Sequence, residues 1–61
     1  MRYIIKVKED SEIEFPINAE YIRNNYNGTE TYEIETANEI VKLNTFLDNN
    51  DNIIDYDILE D

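Results

Sequence analysis

The sequence predicts an α+β fold: one small sheet, made of an N-terminal β-hairpin and two further strands, with one main helix packed on its inner face. Residues 36–50, TANEIVKLNTFLDNN, read as helix from end to end. Residues 2–8, 12–17, 31–35 and 53–59 alternate apolar with polar side chains at period two, the signature of half-buried strands. A hydrophobic fraction of 41% with five tyrosines and abundant isoleucine favours β structure over disorder.

The first strand sets Tyr3, Ile5 and Val7 on one face and Arg2, Ile4, Lys6 and Lys8 on the other. Residues 12–17 set Ile13, Phe15 and Ile17 against Glu12 and Glu14. A loop of Glu9, Asp10 and Ser11 would pair Lys8 with Glu12, Val7 with Ile13, Lys6 with Glu14 and Ile5 with Phe15. A loop one residue shorter would oppose Val7 to Glu14, so register and charge agree on the first arrangement. The cations of this hairpin are then answered by its own acids. Pro16 closes the second strand or marks it as an edge.

Residues 18–27 admit two readings. Asn18 as N-cap, Ile17 and Ile22 as a hydrophobic staple and Asn27-Gly28 as a stop predict a second short helix. The same Asn27-Gly28 pair is a hairpin turn signal that would join residues 20–26 to 29–35. Asn24, Asn25 and Asn27 make a poor strand, which favours the helix.

In the main helix, Thr36 as N-cap and Glu39 form a capping box. Ala37, Ile40, Leu43 and Leu47 make an apolar stripe with Val41 and Phe46 on its margins. Asn49 and Asn50 end it by tolerating the left-handed conformation. Before it, Tyr32 and Ile34 point inward and Thr31, Glu33 and Glu35 outward. After it, Ile54, Tyr56 and Ile58 share one face and Asp55 and Asp57 the other. Strand, helix and strand at this spacing predict a right-handed βαβ crossover with the two strands parallel.

A chain of 61 residues is expected to form a single domain, 1–61, with a small core, about 60% of the unfolded surface being buried at this size. With no cysteine there are no disulfides, and with no histidine the zinc sites that need either are excluded. Added stability would come from a partner or from self-association.

Fifteen acidic residues against five basic ones give a formal charge of −10. That balance repels DNA, RNA and anionic lipid and favours a basic protein surface as partner. Lys42 is the last cation, and Asp48, Asp51, Asp55, Asp57, Glu60 and Asp61 follow it unopposed. The apolar runs are too short for a signal peptide or a membrane span, so a soluble cytoplasmic protein without membrane contact is expected.

Catalysis is not expected. Paired carboxylates that hydrolyse glycosides need a cleft that raises one pKa, and the usual bases and nucleophiles are missing. No cofactor is implied. Asp48, Asn50 and Asn52 match the first ligand positions of an EF-hand loop, but Ile53 stands where its glycine belongs and Leu59 where its bidentate glutamate belongs. The sequon at Asn27, Gly28 and Thr29 reads as a turn.

In the predicted sheet, Glu12, Glu14, Glu33, Glu35, Asp55 and Asp57 share the outer face. Spacings of about 6.6 Å along strands and about 4.8 Å between them would make a dense negative patch. Simple solvation of a one-layer sheet explains the alternation equally well. Short length, absence of cysteine and the acid-rich strands YEIE and DYD resemble the small acidic inhibitors of phages and mobile elements, the anti-CRISPR and anti-restriction proteins that mimic DNA. The resemblance implies a cytoplasmic inhibitor, acting in the host cell if phage-encoded, whose carboxylates occupy the Lys and Arg side chains of a nuclease or CRISPR effector. The partner-binding set is then Glu33, Glu35, Asp48, Asp51, Asp55, Asp57 and Glu60. Exposed Tyr26 and Tyr56 would serve as anchors, although Tyr56 suits the core better. The rival expectation is an interaction module, either a homodimer pairing through an edge strand or a subunit of a larger assembly, whose acidity serves solubility.

Overall fold

The computed structural model describes residues 1–59. It has the α+β architecture, with strands β1 (Arg2–Lys8), β2 (Glu20–Asn24), β3 (Thr29–Glu35) and β4 (Ile53–Leu59) and one helix, α1 (Ile40–Asn49). The strands form one open sheet in the order β2-β3-β1-β4, every neighbouring pair antiparallel.

β1 is an inner strand because it is apolar on the face that needs cover: Tyr3, Ile5 and Val7 are buried, with Ile34, Leu43 and Leu47 completing the core. Opposite Tyr3, Ile5 and Val7 stand Ile34, Tyr32 and Glu30 on β3. Met1 and Thr36 extend that ladder by exchanging backbone hydrogen bonds at 3.0 Å.

The N-terminal hairpin does not form. Both edges of β1 are taken by the seven-residue strands β3 and β4, and residues 11–19 cross the core as an irregular strap. The alternation there is real but serves packing: Ile13, Phe15, Ile17 and Ala19 turn onto the core while Glu12 and Glu14 stay exposed. The Phe15 ring lies 5.3 Å from that of Tyr32 and 5.7 Å from that of Phe46, so the strap joins sheet to helix. A paired strand would have placed these side chains beside β1; a strap places them between the layers.

The short helix expected over 18–27 is also replaced, by β2 and a hairpin turn into β3. Of the asparagines that argued against a strand, Asn24 ends β2 while Asn25 and Asn27 lie in the turn, and the side chains of Asn24 and Asn27 bond backbone N–H groups there. Asn24 Oδ1 accepts from the Tyr26 N–H at 2.8 Å, and Asn27 Oδ1 accepts from the Thr29 N–H at 3.2 Å. Tyr26 (φ 58) and Gly28 (φ 87) take the left-handed conformations that reverse the chain.

The helix begins at Ile40, later than the capping box predicts. Thr36 is held in the sheet ladder, and its hydroxyl closes a local turn by accepting from the Asn38 N–H and donating to the Asn38 carbonyl. Glu39 occupies the N-cap position at φ 60 with no side-chain cap. Ala37 lies exposed ahead of the helix, Leu43 and Leu47 are buried, Ile40 and Phe46 pack at the margin, and Val41 is 80% exposed. At the other end Asn50 is extended (φ −104) instead of left-handed. The stop is made by side chains: Asn49 Nδ2 donates to the Thr45 carbonyl at 2.8 Å, and Asn50 Oδ1 accepts from the Asn52 N–H at 2.9 Å.

The expected parallel arrangement of β3 and β4 in one sheet, joined through α1, is present. Both are antiparallel to β1, so they run in the same direction, but β1 lies between them. A bulge opposite Lys6 and Val7 shifts the start of β4, so Ile53 stands across from Val7 and Ile54 turns out to solvent.

Candidate functional site

The outer face of the sheet is built from the even residues of β1 and their cross-strand partners. Lys6 lies between Thr31 and Asp55, Ile4 between Glu33 and Asp57, and Arg2 between Glu35 and Leu59. Arg2 Nε approaches Glu33 Oε1 at 3.7 Å, the one ion pair among the described residues. On β2, Glu20 stands opposite Glu33 and Arg23 opposite Thr31.

This corrects the expected patch of six carboxylates. Glu12 and Glu14 are on the strap, and the cations of β1 separate Glu33 and Glu35 from Asp55 and Asp57. The outer face therefore holds Glu20, Glu33, Glu35, Asp55 and Asp57 beside Arg2, Lys6, Lys8 and Arg23, which is close to neutral. Like charges on Glu20 and Glu33 meet across β2 and β3, with Asn18 and Glu35 lining the same open cleft of about 210 Å³. Among the described residues no three potential ligands converge to hold a metal ion.

With four of the five cations gathered there, the remaining surface is acidic. Glu9 and Asp10 follow β1, Glu12 and Glu14 lie on the strap, Glu39 precedes α1, and Asp48 and Asp51 flank its C-terminus, all exposed. Half-buried Glu30 joins them, and Lys42 is the only basic side chain on that surface among the described residues. Of the expected partner-binding residues, Asp48 and Asp51 fall in this region, Glu33 and Glu35 lie on one side of β1, and Asp55 and Asp57 on the other; Glu60 lies outside the described residues. Glu9, Asp10, Glu30 and Glu39 were not singled out from the sequence. The signal for them was the shared parity of Arg2, Lys6 and Lys8, which confines these cations to one face.

Three tyrosines report the local electrostatics. Tyr56 donates to Asp48 Oδ1 at 2.7 Å, and that bond, then burial, then the Asp48 charge raise its pKa above the usual phenol value. Burial raises Tyr3, whose hydroxyl donates to Asn44 Oδ1 at 2.7 Å. Tyr21 is raised by desolvation and then by the neighbouring Glu30 carboxylate. Tyr26 is 92% exposed at the hairpin tip, whereas Tyr56 stacks on Tyr3 with ring centroids 6.2 Å apart.

No helix among the described residues is long and apolar enough to cross a membrane. Comparison with known proteins finds no matching family model, no matching curated protein and no matching solved structure. The functional reading therefore rests on the charge and geometry of the chain itself.

Proposed function

We propose that the chain is a non-enzymatic binding protein that occupies the basic surface of a nucleic-acid-handling protein, such as a nuclease or CRISPR effector, in place of nucleic acid. The observation that carries this reading is the segregation of charge. Four of five cations lie on the outer sheet face, leaving Glu9, Asp10, Glu12, Glu14, Glu39, Asp48 and Asp51 exposed over the strap, the helix ends and the adjoining loop. Carboxylates so arranged, with no interleaved cation except Lys42, can meet the Lys and Arg side chains of a phosphate-binding groove. The docking region is thus the strap-and-helix side, with Asp48 and Asp51 at its edge. A phage-type inhibitor of this kind would act in the host cytoplasm.

The test is affinity capture from a host lysate at low salt, mass spectrometry of what is retained, and displacement of a labelled duplex from the captured protein. The expected partner is a nucleic-acid-binding protein that releases its duplex, with binding that weakens steeply as salt rises. Capture of no such protein at low salt, or a complex indifferent to salt, overturns the reading. In the second case the rival, a subunit of a larger assembly, gains ground, and the exposed Ile54, Ile58 and Leu59 of β4 are the observation in its favour.

A further inference from the structure

The two edges of the sheet are unlike. β2 is five residues long, is bulged between Tyr21 and Arg23, and carries charges of both signs, all of which discourage strand addition. β4 runs for seven residues and exposes Ile54, Ile58 and Leu59 by 51%, 38% and 39%.

Which backbone groups β4 offers follows from the alternation of an antiparallel ladder. Met1 and Thr36 exchange both of their bonds, so the odd residues of β1 face β3. The Lys8 N–H donates to the Asn52 carbonyl, so the even residues face β4. Arg2, Ile4 and Lys6 thus bond to Leu59, Asp57 and Asp55, and the N–H and C=O groups of Tyr56 and Ile58 point away from the sheet. The Tyr56 N–H is met there by the carboxylate of the preceding residue, Asp55, at 2.9 Å. That local cap stands where a ladder partner would be.

A second copy of the chain is a poor occupant. Registers that pair two β4 strands antiparallel along most of their length, with the faces matched, oppose Asp55 to Asp55, Asp57 to Asp57, or each to the other. A cationic strand meets no such cost. β1 shows the arrangement on the paired edge, where Lys6 faces Asp55 on the outer side while Tyr3 and Ile5 face Ile58 and Tyr56 on the inner side.

We propose that the free edge of β4 takes up an extended segment of a partner protein in which cationic residues alternate with apolar ones. The cation draws the Asp55 carboxylate off the Tyr56 N–H, which then joins the new ladder, while the apolar side chains cover Ile58. The basic character of the partner rests on the functional reading above; the edge and its mode of pairing do not.

The probe is a short capped peptide of alternating lysine and valine. Two comparators accompany it, one with threonine for lysine and one N-methylated along the pairing edge. Binding of the lysine peptide should slow amide exchange at Tyr56 and Ile58. Both comparators should bind about tenfold more weakly, as should the lysine peptide to the doubly neutral variant Asp55→Asn with Asp57→Asn, whose fold is checked by its unchanged melting curve. Equal binding of the N-methylated peptide, or binding without protection of Tyr56 and Ile58, reduces the contact to diffuse charge attraction and overturns the proposal. Protection without capture of a nucleic-acid-handling protein supports the edge and sinks the duplex-displacement reading; capture without protection does the reverse.

Discussion

Tyr56 donates its phenolic hydrogen to Asp48 Oδ1 at 2.7 Å, fastening the last turn of α1 to β4. Its pKa is raised, so the folded state holds this proton more tightly than the unfolded chain does. The stability it contributes is complete below the ordinary phenol value, about 10, and is lost as pH rises through the higher folded value. Tyr56→Phe should cost less than about 1 kcal/mol near neutrality, because the bond is solvent-exposed, and should flatten the alkaline limb of the stability profile. Urea unfolding at a series of pH values checks both; a variant whose alkaline limb matches the parent's removes the linkage.

Tyr3 and Leu43 bring β1 and α1 into one core, and both are fully buried. At roughly 0.05–0.15 kcal/mol per residue, a chain of this size has only about 3–9 kcal/mol of stability in total. Leu43→Ala, costing about 2–5 kcal/mol, should remove a large share of that stability and lower the urea midpoint in proportion. Tyr3→Phe keeps the ring but orphans Asn44 Oδ1, for a cost of about 1–2 kcal/mol. Circular dichroism with urea titration orders the pair, and a Leu43→Ala protein as stable as Tyr3→Phe contradicts this core.

The Phe15 ring on the strap meets Tyr32 of the sheet and Phe46 of the helix. Phe15→Ala should cost about 2–3 kcal/mol, at or below the low end for an aromatic because the ring is only partly buried. Loss of the strap also frees residues 11–19, so proteolytic cleavage there should accelerate more than global unfolding accounts for. Cleavage rates that simply track the unfolded fraction would show the strap to be held by something other than this ring.

The strap marks where sequence reasoning meets its limit. Period two in residues 12–17 identified the right inward side chains, Ile13, Phe15 and Ile17, yet could not say what lay beside them, because alternation suits a strap over a core as well as a strand in a sheet. The choice was made by competition for β1, both of whose edges are taken along its length by the seven-residue strands β3 and β4. The outer-face charge pattern followed from that choice: once Glu12 and Glu14 leave the sheet, the cations of β1 stand in register with β3 and β4 instead, Arg2 meeting Glu33. The helix was legible through Leu43 and Leu47, but its start was not, since Thr36 is as good a ladder residue as a cap. Of the asparagines at 24, 25 and 27, only Asn24 lies within a strand, as the last residue of β2, and all three bond the turn or the strand ends beside it.

Left-handed positions give opposite predictions at the hairpin tip. Tyr26 holds φ 58 with a side chain 92% exposed, so Tyr26→Gly should relieve strain and stabilise by up to about 1 kcal/mol. Gly28 holds φ 87 with open space around the site of a Cβ, so Gly28→Ala should destabilise by about 1 kcal/mol through backbone strain alone. Melting temperatures of the two variants should fall on either side of the parent; shifts of the same sign would place the turn in another conformation.

Charge substitutions should separate the strap-and-helix side from the outer sheet face. Glu12 and Glu14 are exposed on the strap and oppose no cation there, so Glu12→Lys with Glu14→Lys should leave the melting temperature nearly unchanged. If the strap-and-helix side meets a basic partner, the same pair should weaken the captured complex about tenfold or more at low salt, an effect that shrinks once the screening length falls to about 8 Å at physiological ionic strength. Glu33→Gln with Glu35→Gln behaves differently, because these acids lie beside Arg2 on a nearly neutral face. That pair should alter stability slightly and binding little. Binding measured for both pairs across a salt series decides the location: greater loss from the Glu33 and Glu35 pair would move the docking surface to the outer face of the sheet, where β1 would have to yield its cations to the complex.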